Sequence, residues 1–213
     1  MFNTGCLYTQ LGARQDRTTG EGLENAVDNF IRAAGIFEFI KDNFNNAPSS
    51  DLEPECLVVL IQLMLSQATE CLFEKTVMGV EHTDIDSCLE LSQEAAHISS
   101  RYDQVLEVMV ETEYLPYYWL CLVQIKREHY RALADYYLAL GLVSHQGHLP
   151  DTALSTLQFI HHAHHQRPPV PKTTEQRHYL GDCLNRTSST NILPSYQARL
   201  RWLRSRPSPH VSS

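Results

Sequence analysis

The chain has 213 residues, 43% of them apolar and 20% charged, with a formal net charge of −8. That length allows one large domain or two small ones with a sizeable core, and the balance is that of a globular protein, not a fibrous or disordered one. The negative charge argues against a nucleic-acid surface, which needs clustered Lys and Arg, and no continuous apolar run reaches the roughly 20 residues that span a bilayer.

The charge is unevenly spread. Every Asp and Glu lies at or before Asp182, whereas the last 29 residues hold Arg186, Arg199, Arg201, Arg204 and Arg206 and no acid, so residues 1–184 sum to −13 and the tail to +5. A Ser/Pro/Arg tail of this kind is expected to be disordered. The six cysteines, Cys6, Cys56, Cys71, Cys88, Cys121 and Cys183, are scattered without a CxxC pair. Free buried thiols of a reducing compartment explain that pattern best. The start lacks the basic n-region of a secretory signal, and a cytoplasmic protein is expected.

In chain order, MFNTGCLYTQLGA places Phe2, Cys6, Leu7 and Leu11 on one face at helical spacing, extended by Tyr8. Residues 22–46 carry Leu23, Val27, Phe30, Ala34 and Phe37 at steps of four and three, which predicts a helix with one buried stripe. A helix over 54–78 follows Pro54, which suits a first helical turn. Its run CLVVLIQLML is apolar nearly all round, which predicts a position in the middle of a bundle. Over 84–112 the stripe is Cys88, Leu91, Ala95, Ile98, Tyr102, Val105 and Met109, and Thr83 with Asp86 resembles a capping box. From Pro116 the stripe is Tyr118, Leu122, Ile125, His129, Ala132, Tyr136 and Leu140. Shorter helices are expected at 151–164 and 172–184.

The long segments are joined by short connections, which force antiparallel neighbours. The expectation is an all-α fold of long antiparallel helices, as a bundle or a solenoid-like sheet of helix hairpins. No strict 34-residue period supports a tetratricopeptide array.

Candidate chemistry is sparse. HHAHH places His161 and His165 at i and i+4, where a helix could offer both to one metal ion. Two ligands do not complete a site, and a solvated polar run is the plainer reading. A small metal-binding protein or enzyme built on that pair is the alternative to keep. His129 lies on an apolar stripe and reads as a core histidine. Glu70 and Glu74 share a helix face with Gln67, and paired carboxylates can serve as acid and base. Lys75 beside them suggests ordinary surface ion pairing instead. GxGxxG, GxxxxGK[ST] and GxSxG are absent. The sequence therefore points to a non-enzymatic chain without a cofactor, whose broad helical surface takes a protein partner.

Several stretches resemble one family. FNTGCLYTQLGARQDRTTGEGLENAVDNFIRAAGIFEFIKDNF is similar to the central block of the BRO domain family. LIQLMLSQATECLFEK, LSQEAA and IKREHYRALADYYLALGLVSHQ follow in that family's order and spacing, with a weaker match in TTEQRHYLGDCL. The wording FEK, SQEAA and EHYRALADYY is most similar to the rhophilin group. The resemblance implies a partial BRO domain over 1–184, beginning at an interior helix, and a divergent basic tail over 185–213. A fragment, a short isoform or a truncated gene copy would each read this way. It further implies a scaffold or adaptor in Rho GTPase signalling and endosomal or cytoskeletal organisation, cytoplasmic with peripheral association to endosomes. Rhophilins also carry a Rho-binding coiled coil, which this sequence lacks, so direct Rho binding is not carried over. The family docks an amphipathic helix of an ESCRT-III subunit on an apolar groove. Alignment of the motifs places groove positions at Leu72 with Phe73, at Leu91, and at Ser87 with Cys88. Leu72 is smaller than the family's aromatic residue and Ser87 is polar, both of which weaken such a groove. The plainer reading of Leu72 and Leu91 is core packing.

Overall fold

The computed structural model describes residues 1–44, 52–79, 84–112, 115–145 and 151–165, the last five of these by backbone alone. Among these residues are six α-helices and no strand: α1 Phe2–Ala13, α2 Gly20–Asn43, α3 Pro54–Gly79, α4 Ile85–Glu111, α5 Tyr117–Ser144 and α6 Asp151–His165. The expected all-α architecture is observed. The helix expected at 172–184 and the tail at 185–213 lie outside the described residues.

Local chemistry sets the helix ends. Thr19 caps α2, its hydroxyl oxygen accepting from the Gly22 N–H at 3.0 Å. Pro54 and Pro116 stand at or just before the first turns of α3 and α5, where a missing N–H costs nothing. Asp84 caps α4 by accepting from the Ser87 N–H at 2.6 Å. The expected cap, Thr83, lies outside the described residues. A carboxylate is favoured at that end because it meets both the free N–H groups and the positive end of the helix dipole.

Each helix packs on the next, and α6 returns to α4. The α2–α3 and α4–α5 hairpins are the most extensive pairings, and α3 against α4 joins them. This placement explains why α3 is apolar all round. It gives Leu57, Ile61, Met64, Ala68 and Cys71 to a core shared with α1 and α2. Its Val59 and Phe73 belong to a second core shared with α4, α5 and α6. By length and composition α3 would also suit a membrane span. Here its sides are taken up by the two cores.

The first helix packs differently from its sequence pattern. Gly5 and Gly12, seven residues apart, face Phe37 and Phe30, also seven apart, on the antiparallel α2. Leu7 and Leu11, expected inside, are exposed, while Phe2, Cys6 and Tyr8 pack at the edge of the core. A stripe of leucines is the stronger hydrophobic signal, but two glycines let the helix axes approach closely enough to seat two phenylalanine rings.

Small residues also bring α4 and α5 together. The Ser92 hydroxyl donates to the Ala134 carbonyl at 2.7 Å, and the Ser99 hydroxyl to the Arg127 carbonyl at 3.1 Å. Gly141 lies so close to Cys88 that an added Cβ would meet it at 2.8 Å. The expected stripe of α4 is buried along its whole length. The expected stripe of α5 is not: Tyr118, Leu122 and Tyr136 are exposed. The buried line runs through Val123, Arg127, Tyr130, Ala134, Tyr137 and Gly141. The close α4–α5 contact selects glycine and alanine over the larger residues of the neighbouring face. His129 is half-buried, its ring edge-on to Tyr130 at 5.2 Å.

These contacts predict opposite outcomes for one substitution at two glycines. Ala is the better helix former by about 1 kcal/mol. Gly35→Ala on α2, with open space around it, is expected to raise stability by about 0.5–1 kcal/mol. A Cβ at Gly12 would lie 2.9 Å from the buried Phe30 ring, so Gly12→Ala is expected to lower stability by about 1–3 kcal/mol. Urea denaturation of both variants checks the difference in sign.

Candidate functional site

Helix α3 is the element on which candidate residues meet. At about 100° per residue, Val58, Gln62, Leu65, Thr69, Leu72 and Thr76 form one line along it. All six are half-buried or exposed, and Leu72 is 51% exposed. Thr69 and Thr76 donate their hydroxyls to the carbonyls of Leu65 and Leu72, at 2.9 and 3.2 Å. Their polar groups are thus engaged by the helix itself, and the line is more apolar than its composition suggests.

The five positions carried over by resemblance do not lie together on this line. Leu72 does. Phe73, 4% exposed, is turned into the core and sits edge-on to Tyr130 and Tyr137 at 5.8 and 6.1 Å. Cys88 is 0% and Leu91 1% exposed, both between helices. Ser87 is half-buried at the start of α4, its N–H and hydroxyl both donated to Asp84. What the geometry adds is Leu65, one heptad before Leu72. The sequence carried that signal as a period of seven within an all-apolar run, where it is masked by its neighbours.

On the opposite face of α3, about half a turn away, lies a cluster of charges. The Glu70 and Glu74 carboxylates are buried, contrary to the expectation of surface pairing with Lys75. Lys75 instead reaches Glu24 on α2 at 2.6 Å in an exposed pair, worth little because water screens it. Lys126 on α5 donates to both oxygens of Glu70 at 2.6 Å. Arg17, between α1 and α2, grips Glu74 with two N–H groups, one at 2.7 Å from Oε2, and approaches Glu70 at 3.5 Å. The missed signal was physical: a helix without a polar face leaves an internal acid no exposed place, so counter-charges must come from elsewhere.

These partners govern the ionisation of the cluster. Burial pushes the Glu70 carboxyl up, but Lys126 and then Arg17 more than offset this and hold it below the usual carboxylate range. Burial works against the Arg17 charge, while Glu74 and Glu70 raise its affinity for the proton. Tyr102 on α4 is wholly buried beside Glu70, and Lys126 stands 5.6 Å above its ring. Its hydroxyl has no hydrogen bond of ordinary geometry. Burial and the Glu70 charge push its ionisation well above the usual phenol range. Burial likewise raises the Cys71 thiol to about 11. A third cation, the buried Arg127, bonds Asp103 on α4 at 3.0 Å and its neighbour Glu128 at 2.7 Å. Glu70 is therefore held as the carboxylate by Lys126 and Arg17, and Glu74 is engaged by Arg17.

The side chains of His161 and His165 lie outside the described residues. Among the described residues no group of three His, Cys, Asp or Glu side chains could hold a metal ion.

A family model described as BRO1-like domain matches residues 1–149. Human rhophilin-2 is 43% identical over 149 residues, covering 68% of this chain and 22% of that protein. Human rhophilin-1 is 38% identical over 190 residues, covering 85% and 28%. The chain thus spans about a quarter of the length of these relatives. Two solved structures are similar in fold. One, described as an ALIX BRO1 CHMP4C complex, has a TM-score of 0.59 at 18% identity, over 86% of this chain and 53% of that one. The other, on endosomal targeting by the Bro1 domain, has a TM-score of 0.57 at 18% identity, over 100% and 57%.

The ionic cluster carries a pH signature. Glu70→Gln leaves Lys126 facing a neutral amide while Arg17 keeps Glu74, and is expected to cost about 3 kcal/mol at pH 7. A carboxyl whose folded pKa lies below its ordinary 4.5 stabilises fully above that value, and the contribution is lost as pH falls through the folded one. The stability gap between wild type and Glu70→Gln, from urea titrations, is expected to stay constant from about pH 6 to 8 and to close below about pH 4.

Proposed function

The chain belongs to the BRO1-like domain family, and from that premise we propose that it is a non-enzymatic scaffold that takes a partner's amphipathic helix along the outward line of α3. One observation carries this reading. Leu72, on a helix otherwise taken up by two cores, is half exposed at the end of an apolar line that includes Leu65 and Val58. A partner helix with apolar residues at i, i+3, i+4 and i+7 matches such a line. The similarity to an ALIX BRO1 domain described in complex with CHMP4C supports a protein partner. An amphipathic helix of an ESCRT-III subunit is the partner chemistry this favours. The rhophilin relatives support placing the chain in Rho GTPase signalling and in endosomal or cytoskeletal organisation. The absence of enzymatic activity is supported by Glu70 and Glu74, the paired carboxylates of α3, being engaged by Arg17 and Lys126.

The test is fluorescence anisotropy of a labelled C-terminal amphipathic peptide of an ESCRT-III subunit titrated with the 213-residue chain. Saturable binding is expected, weakened about tenfold to thirtyfold by Leu72→Asp. Leu154→Asp, at an exposed position on α6, is expected to leave it unchanged. No binding by a chain that melts cooperatively, or equal binding by Leu72→Asp, would overturn the reading.

A further inference from the structure

An ordinary surface helix finds its rotation about its own axis through its amphipathic stripe. Helix α3 has no such stripe. Both flanking cores are lined by aliphatic and aromatic side chains, and Cys71, Leu72 and Phe73 would each be acceptable in either. The hydrophobic effect alone would favour burying Leu72, since an exposed leucine forfeits that free energy. Yet Leu72 faces out, while Cys71 and Phe73 face the two cores. Some other interaction selects this rotation.

The charged residues of α3 are Glu55, Glu70, Glu74 and Lys75. Glu55 stands exposed in the first turn, and Lys75 makes only the exposed, screened pair with Glu24. Glu70 and Glu74 lie one turn apart on one face and meet cations from two places far apart in the chain, the α1–α2 connection and α5. A rotation of one residue, about 100°, would carry both carboxylates away from both cations. Separating a buried pair costs far more than exchanging one apolar residue for another. Both glutamates demand the same rotation, so the two constraints reinforce each other.

We propose that Glu70 and Glu74, with Arg17 and Lys126, are positioning residues that lock the rotation of α3 and thereby aim Leu72 at solvent, with Leu65 at the edge of the core on the same line. The role of that line as a partner face rests on the function proposed above; the lock itself does not.

The native Cys71 supplies a reporter. It is adjacent to Leu72, fully buried, and poorly ionised at neutral pH, so it reacts slowly with an alkylating reagent. The experiment is iodoacetamide labelling of the full chain, with the rate at Cys71 read by peptide mass spectrometry. Cys56 shares the tryptic peptide 42–75 with Cys71, so the alkylated residue is assigned from fragment ions that separate the two. In the variant carrying Arg17→Met, Glu70→Met, Glu74→Met and Lys126→Met, cooperative melting is expected to survive, because apolar replacement of a whole buried ion cluster is often tolerated. Cys71 is nonetheless expected to label about tenfold faster, and a probe introduced by Leu72→Cys correspondingly slower. Lys126→Arg, which keeps the cation, should restore the wild-type rate. Should the neutralised variant fail to fold, Lys126→Met alone, with Glu70 still beside Arg17, is expected to give a smaller rise. A folded neutralised variant, or a folded Lys126→Met, with an unchanged Cys71 rate overturns the lock. Labelling needs no partner. Peptide that fails to bind while labelling behaves as expected therefore removes the partner face and leaves the lock standing.

Discussion

A carboxylate with almost no contact with water, Glu70, sits between Lys126 and Arg17, and the arrangement of the helices depends on that fact. Taking these charges out of water costs several kcal/mol per ion. The cost is offset only because the four charges of Arg17, Glu70, Glu74 and Lys126 sum to zero and meet at short range. The cluster ties the start of the chain, its central helix and α5 at a single point. Those three segments share few backbone contacts of their own. Buried ion pairs add little to stability compared with good apolar packing; what they add is a preference for one arrangement among several of similar hydrophobic energy. A helix that serves two cores has special need of that preference.

Elsewhere the fold relies on close approach. Gly5 and Gly12 admit the rings of Phe37 and Phe30, and Gly141 admits Cys88. Ser92 and Ser99 place small side chains at the α4–α5 contact and satisfy their own hydroxyls on backbone carbonyls of the partner helix. Each contact gives up side-chain area in exchange for shorter interhelical distance, so Leu7 and Leu11 of α1 and Tyr118, Leu122 and Tyr136 of α5 end outside. At the other end of the described chain, α6 docks on α4 through a mixed contact. Gln93 donates to the Thr156 hydroxyl at 2.6 Å, and the rings of His97 and Phe159 lie 5.2 Å apart.

This is also why some of the structure was legible in the sequence and some was not. Helix α4 has one clear apolar stripe between charged faces, and every residue of that stripe is buried. The near-uniform apolarity of α3 correctly implied a central position. Hydrophobic periodicity failed where packing is set by the absence of a side chain, since glycine has no weight in an apolar pattern. It therefore chose Leu7 and Leu11 over Gly5 and Gly12, and Tyr118 and Leu122 over Val123 and Ala134. The motif resemblance identified the family, yet it could not fix which of Leu72 and Phe73 points outward. Phe73 is the one that points inward, against Tyr130 and Tyr137, which lie more than fifty residues away in the chain. Glu70 and Glu74 were read as surface residues because Lys75 is adjacent in sequence, whereas their partners Arg17 and Lys126 come together only in the fold.

The outward line of α3 also bounds how strongly it could hold a partner helix. Leu65 is already half-buried and Leu72 half-exposed, so covering them yields less than the full 1.5–3 kcal/mol of a leucine moved from water. Thr69 and Thr76 add apolar contact without free hydroxyls. Association must first overcome several kcal/mol of lost translational and rotational freedom. The balance leaves affinity in the micromolar range or weaker, about −8 kcal/mol at best. On a face of such modest strength, loss of the correct rotation of α3 would matter more than loss of any single contact. Turning Leu72 inward removes the apolar end of the line and presents a neighbouring position in its place. On the proposed reading the buried charges and the exposed leucine are two sides of one requirement, because the ion pairs fix the rotation that leaves Leu72 in water.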